Sequence, residues 1–146
     1  MQDVAQSFML KARQSSIELV TDLNQQAPLI YGDIAMMQRV LENLVENALR
    51  HTPVGGSITL RVAIDDSKVK VQISDSGHGI PEDQKTRIFD RFYQADQHRG
   101  INGSTGLGLS IVKRILELHH SVIDVDSVVN QGTTFSFLMS PRTSAL

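Results

Sequence analysis

Two carboxamides four residues apart, Asn43 and Asn47, stand in the segment Arg39–His51 with Arg50 three residues further on. At about 100° per residue on a helix, Asn47 falls about 20° from Val40, on the edge of an apolar arc. Asn43 and Arg50 lie just beyond that edge, while Glu42 and Glu46 point further round towards solvent. Asparagine inside a helix costs roughly half a kcal/mol or more against alanine, so two beside a core ask for a reason. A carboxamide oxygen ligates hard cations. Mg²⁺ keeps waters and takes one or two protein oxygens together with substrate phosphates, a demand this helix rim meets. The plainer alternative is a polar border between core and solvent.

Three further segments carry chemistry. Asp75-Ser76-Gly77-His78-Gly79-Ile80-Pro81 follows a strand-like run. An ionised Asp only accepts hydrogen bonds; adenine offers an N6 amine, whereas guanine presents an O6 acceptor that repels it. Asp75 therefore selects adenine over guanine, and Gly77 and Gly79 let backbone pass close to a flat base. A loop of turn formers is the alternative. Gly103-Ser104-Thr105-Gly106-Leu107-Gly108-Leu109-Ser110 opens a helix, whose first N–H groups suit phosphate. It is no Walker loop, since no Gly-Lys-Ser/Thr follows, and it fails the dinucleotide fingerprint at Ile111; a bare loop stays open. Finally, Phe89 and Phe92 read as a hydrophobic peg for the polar stretch to Asn102, which is either a lid whose Arg91 and Arg99 reach phosphates on closing or a solvated surface.

These residues need elements to hold them. Residues 3–15 suggest an amphipathic helix and residues 17–23 an alternating strand. Asp33 reads as the N-cap of a helix whose stripe of Ile34, Met37, Val40, Leu41, Leu44, Val45 and Ala48 ends at Thr52-Pro53. Ile58 to Ile64 and Val69 to Ile73 form a hairpin closed by residues 65–68. Residues 81–92 read as a short helix and 109–119 as a longer one. Strands over 121–127 and 133–139 finish the chain. Helices and hairpins alternate without the rhythm of a doubly wound sheet. The expectation is an α+β, two-layer sandwich with helices on one face of the sheet.

Composition narrows the rest. The chain has 146 residues with 14 Lys plus Arg against 16 Asp plus Glu, a net charge of −2. That balance argues against sequence-independent nucleic-acid binding, which needs a basic face. There is no cysteine, which excludes disulfide frameworks, thiolate zinc sites and Cys nucleophiles. Hydrophobic residues at 40% and charged residues at 21% are ordinary for one globular domain, expected over 1–146. No apolar run approaches a membrane span.

In this order, the four segments resemble the N, G1, F and G2 boxes of the catalytic and ATP-binding domain of sensor histidine kinases, within the gyrase, MutL and histidine kinase superfamily. The resemblance covers nearly the whole chain. It implies a Bergerat fold, a mixed sheet of about five strands under about three helices, with ATP between helices and lid. Asn47 would be the main Mg²⁺ ligand with Asn43 assisting, and Arg50 stands where a phosphate-contacting Lys is common. Asp75 matches the adenine-binding Asp, Gly77 and Gly79 the G1 glycines, and Gly106 and Gly108 the G2 glycines. Thr133 takes a place that supports the adenine pocket. His51, Ile80, Tyr93, Thr105, Leu107 and Leu109 complete the implied nucleotide contacts. Three departures stand out: His51 replaces a frequent Tyr, His78 a frequent Pro, and His120-Ser121 a frequent Gly pair.

Superfamily members that hydrolyse ATP carry a Glu four residues before the Mg²⁺-binding Asn. Here that position is Asn43, and an amide cannot accept a proton at neutral pH, so transfer to a separately activated acceptor is favoured. Family acceptor histidines lie in a helix before an acidic residue and Thr-Pro; none of His51, His78, His98, His119 and His120 does. The resemblance thus implies that acceptor and base reside in a dimerisation and His-phosphotransfer domain, with a response regulator downstream. It also implies a monomeric, cytoplasmic fragment of an inner-membrane sensor. An anti-sigma-type Ser/Thr kinase of the same fold and a non-catalytic nucleotide-sensing module are the rival readings.

Overall fold

The computed structural model describes residues 1–93 and 107–142. Helix α1 (Gln2–Gln14) buries Val4, Ala5, Phe8 and Ala12 along one stripe, with Asp3 in its first turn and Lys11 and Arg13 in its last, matching the helix dipole. Strand β1 (Glu18–Leu23) follows. Helix α2 (Ile34–His51) starts where Asp33 Oδ1 accepts the Met36 N–H at 2.9 Å. It stops at Thr52, held extended before Pro53. Strands β2 (Ser57–Asp65) and β3 (Lys68–Asp75) form the expected hairpin. Helix α3 (Gly108–Leu118) leads to β4 (Asp124–Val128) and β5 (Gly132–Met139).

The five strands lie in the order β1-β2-β3-β5-β4, with β1 parallel to β2 and the other pairs antiparallel. Helix α2 is the crossover that a parallel β1–β2 pair requires. Val69, Val71 and Ile73 of β3 and Phe135, Phe137 and Met139 of β5 point to the helices, where they join Val40, Leu44 and Val45 of α2 and Val112, Ile115 and Leu116 of α3 in one core. Leu44, Leu116 and Phe135 are at most 1% exposed, each contributing about 1.5–3 kcal/mol through burial. The other face carries Lys70, Gln72 and Ser74, all part-exposed. The sandwich is the one the pattern implies: α+β, three helices on one face of a mixed five-stranded sheet.

Two elements differ from expectation. Residues 81–92 are not an α-helix: Glu82–Gln84 form a 3₁₀ turn, followed by successive i→i+3 turns closed by Arg87 N–H to Gln84 O, Asp90 N–H to Arg87 O and Tyr93 N–H to Asp90 O. Apolar residues at 88, 89 and 92 have helical spacing, but Phe92 takes φ 64°, outside the helical region. Ile88 is buried and Phe89 packs edge-on against Phe135 at 6.1 Å, while Phe92 is 60% exposed, so the peg is Ile88 with Phe89. The β4 strand begins at Asp124 instead of Ser121, because residues 119–121 close α3. His120 adopts φ 58°, its N–H bonds Glu117 O, and the Ser121 N–H reaches back to Leu116 O at 2.8 Å. This is a Schellman ending with histidine where glycine is usual.

Candidate functional site

Side chains alternate along a strand, so Asp75 continues the inward row of Val69, Val71 and Ile73. Thr133 does the same on β5 ahead of Phe135, and Ser127 pairs with it on β4. Asp75, Thr133 and Ser127 therefore form a polar row across three neighbouring strands, at the end of the sheet and on its helix-covered face. The apolar core ends here and a polar pocket begins.

Hydrogen-bond accounting assigns each group of this row. Ser127 Oγ lies 2.9 Å from the Gly132 carbonyl, which only accepts, so the Ser127 hydroxyl donates there. Its oxygen then accepts from the Ile80 N–H at 2.8 Å and from the Thr133 hydroxyl at 2.8 Å. With its proton committed, Thr133 can only accept from a ligand. The Asp75 Oδ1 accepts the Gly77 N–H at 2.8 Å. Burial pushes the Asp75 carboxyl above its ordinary value, while backbone N–H groups of Gly77 and Thr133 and the nearby His78 oppose the shift. Two acceptors side by side suit an exocyclic amine.

Sequence reasoning missed Ser127. Its signal is position: it sits on the inward register of β4, opposite Thr133. Two glycines make the turn after β3 possible. A side chain on Gly77 would strike the His51 carbonyl, and one on Gly79, which has φ 75°, would strike the Val128 backbone. The turn is thereby pressed onto the C-terminus of α2, bringing Asp75 near the Asn43–His51 rim.

On that rim Asn47 is 6% exposed and Asn43 half-buried. Asn47 Oδ1 accepts a long 3.4 Å bond from Arg50 Nη2. Desolvation lowers the Arg50 guanidinium's pKa and the Glu46 carboxylate raises it; the group remains a cation. Asn43 faces the start of α3: a methyl group on Gly108 would stand 3.3 Å from its Oδ1. Among the described residues no side chain caps the first turn of α3. The first turn of α3 thus lies beside the Asn43 amide, a setting for phosphate. Two neutral amide oxygens fit a hard cation whose charge is balanced by a bound polyanion, and do not fit a soft-metal site.

Of the remaining expected contacts, Leu107 and Leu109 flank Gly108 and are half-buried, and Ile80 packs on the core. Tyr93 also packs on the core, with the Arg87 guanidinium 5.5 Å from its ring centre. His51 and His78 hydrogen-bond through Nδ1 and Nε2 at 2.9 Å. They border an open cavity of about 420 Å³ that also touches Arg50, Gly77 and Asn130. Thr105, Gly106, Arg99 and His98 lie outside the described residues.

A mixed sheet under three helices, with an acceptor row at the sheet end and a helix start beside the Asn43 amide, defines a nucleotide-binding domain. The family model for the histidine kinase-, DNA gyrase B- and HSP90-like ATPases matches residues 32–143, and the chain belongs to this family. It is 39% identical over 127 residues to the adaptive-response sensory kinase SasA of Crocosphaera subtropica, covering 86% of this chain and 33% of that one. It is 37% identical over 134 residues to the alginate biosynthesis sensor protein KinB of Pseudomonas aeruginosa, covering 92% and 22%. The catalytic domain of histidine kinase ThkA superposes with a TM-score of 0.83 at 29% identity, over 95% of this chain and 88% of that one. Full-length ShkA in complex with AMPPNP superposes with a TM-score of 0.86 at 27% identity, over 99% and 30%. The protein is the ATP-binding catalytic domain of a histidine kinase. It spans about a third of the length of the curated SasA relatives. Among the described residues no helix is long and apolar enough to cross a membrane.

Proposed function

We propose that this domain holds Mg²⁺·ATP for transfer of the γ-phosphoryl group to a histidine on a dimerisation and phosphotransfer domain, from which a response regulator is phosphorylated. The observation that carries the reading is the inward row of Asp75 and Thr133 on the same side of the sheet as the Asn43/Asn47 rim and the start of α3 beside Asn43. Adenine donates its N6 amine to Asp75, and the phosphates run towards the α3 N–H groups and Arg50. Asn47 and Asn43 hold Mg²⁺, which neutralises phosphate oxygens as phosphoryl transfer requires. The full nucleotide contact set is the one expected above, including Thr105, Gly106, Leu107 and Leu109.

The chain's own residues bind and orient. Asn43 supplies no base at the position from which water would be activated, so the bound γ-phosphate persists until an activated acceptor arrives. No described side chain takes the acceptor's proton; the base belongs with the acceptor. The parent protein is proposed to be a sensor kinase of the SasA and KinB kind, working at the cytoplasmic side of the membrane. The test is to mix this domain with a separately expressed, His-bearing dimerisation segment and γ-labelled MgATP. Acid-labile label on that histidine supports the reading; label on a serine of another protein, or on nothing, refutes it.

A further inference from the structure

We infer that His119 is a positioning residue: it clasps the end of α3 to the start of α2 and so sets the register of the Asn43/Asn47 rim against the first turn of α3. The inference rests on the nucleotide reading of the site. His119 is the residue that follows α3, and its half-buried ring seats against Gly32, where an added methyl group would stand 3.2 Å from His119 Cδ2. Nδ1 lies 2.7 Å from the Ile115 carbonyl, which only accepts, so Nδ1 carries the proton. The lone pair of the neutral ring is then at Nε2, where it accepts the Asp33 N–H at 3.1 Å. Both bonds call for the same tautomer.

The bond to Asp33 stands in for a missing local one. Asp33 caps α2 with its carboxylate on the Met36 N–H. In a complete capping box a Glu or Gln at the position of Met36 would reach back to the Asp33 N–H. Methionine has no such group, and a ring at the end of another helix takes the donor instead. The consequence is geometric. Asp33 meets His119 and Asn43 meets Gly108, so α2 and α3 run antiparallel and are matched at two stations. At about 1.5 Å per residue the stations lie roughly 15 Å apart along either helix. Between them the helices share the apolar core, whose attraction is non-directional and leaves a small slide possible. Ser121 already ties the end of α3 to β5, its hydroxyl donating to the Leu138 carbonyl at 2.6 Å. His119 therefore adds the register of α2, the helix that carries Asn43 and Asn47. It acts through that helix and touches no substrate.

ADP titrations with and without Mg²⁺, run beside thermal melts, test this on wild type, H119A, H119Q and the double variant H119A/M36E. H119A should bind metal-free ADP nearly as wild type does, lose several-fold of the affinity that Mg²⁺ adds, and melt lower. H119Q, whose carboxamide oxygen can accept the Asp33 N–H, should regain the Mg²⁺ dependence. H119A/M36E completes the capping box within α2, so it should regain melting temperature but not the Mg²⁺ dependence. Full Mg²⁺ dependence in H119A overturns the proposal. So does its return in H119A/M36E, which would reduce His119 to a helix cap, and so does H119Q that melts as wild type yet lacks it. A scalar coupling across the Asp33 N–H···Nε2 bond in ¹⁵N spectra reads the clasp without nucleotide. Its absence from wild-type protein that binds Mg²⁺·ADP overturns the clasp alone. Its presence in wild-type protein that binds no ADP overturns the nucleotide reading and the role of the clasp with it.

Discussion

Gly108, the first residue of α3, lies so close to Asn43 that a single added methyl group would stand 3.3 Å from the amide oxygen. The contact ties the start of one helix to the rim of another, and it places the α3 N–H groups where a cation held by Asn43 and Asn47 would share a phosphate with them. G108A tests whether that closeness is used. Alanine is at least as good a helix former as glycine, so stability should hold or rise slightly. Affinity for Mg²⁺·ADP should fall several-fold in a fluorescence titration. An unchanged affinity would show that the gap between Asn43 and α3 is idle.

Asp75 yields a prediction with a definite sign. Burial holds its carboxyl above the ordinary carboxylate range. The native state therefore binds this proton more tightly than the unfolded chain does, and ionised Asp75 subtracts from stability at neutral pH. The deficit is relieved as pH falls through the raised value. D75N keeps an acceptor oxygen for the Gly77 N–H and removes the charge, so the nucleotide-free variant should melt no lower than wild type at neutral pH. The difference should close on acidification. Loss of a charge-assisted bond of about 1.5–3 kcal/mol should weaken ADP roughly ten- to 150-fold. Wild-type affinity should also decline as pH drops through the raised value, while the D75N profile stays flat.

Asn47 is assigned the cation. N47A should bind metal-free ADP nearly as wild type does and lose the gain in affinity that Mg²⁺ provides, a difference read by titrating ADP with and without the metal. A preserved Mg²⁺ dependence would move the assignment away from this rim.

Ser127 supports the pocket from behind. S127A leaves the Ile80 N–H and the Thr133 hydroxyl without their shared partner, which should cost about 1–3 kcal/mol in denaturant unfolding. Nucleotide affinity should fall too, since Thr133 is then free to turn its proton towards the ligand. Wild-type stability in S127A would contradict the hydrogen-bond assignment.

Legibility in the sequence followed the range of the interactions. Helix α2 could be read with its cap, stripe and stop because each is set within a few residues: Asp33 caps Met36, and Pro53 ends the helix through Thr52. Asp75 is legible at the close of a strand-like run, and Thr133 enters only through the family resemblance. Ser127 is not legible, because its meaning depends on β4 pairing with β5 and β5 with β3, which no local pattern encodes. The same limit applies to the His51–His78 bond, formed across 27 residues. Residues 81–92 misled through a helix-like start, Pro81 with acidic residues after it, and a helix-like spacing of Ile88, Phe89 and Phe92, whereas the backbone closes i→i+3 turns and Phe92 turns left-handed. At His120 a left-handed turn formed without the glycine that would have announced it, the closing bonds to Leu116 and Glu117 outweighing the local strain.

The central claim is that one ligand is gripped by its adenine amine at Asp75 and by its phosphates and metal at the Asn43/Asn47 rim. Titration calorimetry with Mg²⁺·ADP and Mg²⁺·GDP, each also run on D75N, measures this most directly. ADP should bind wild type with a clear heat and, at about 100 times its dissociation constant, stabilise the fold by roughly 2.7 kcal/mol; GDP should do neither. Equal binding of the two nucleotides, or D75N binding ADP as tightly as wild type, would contradict the account.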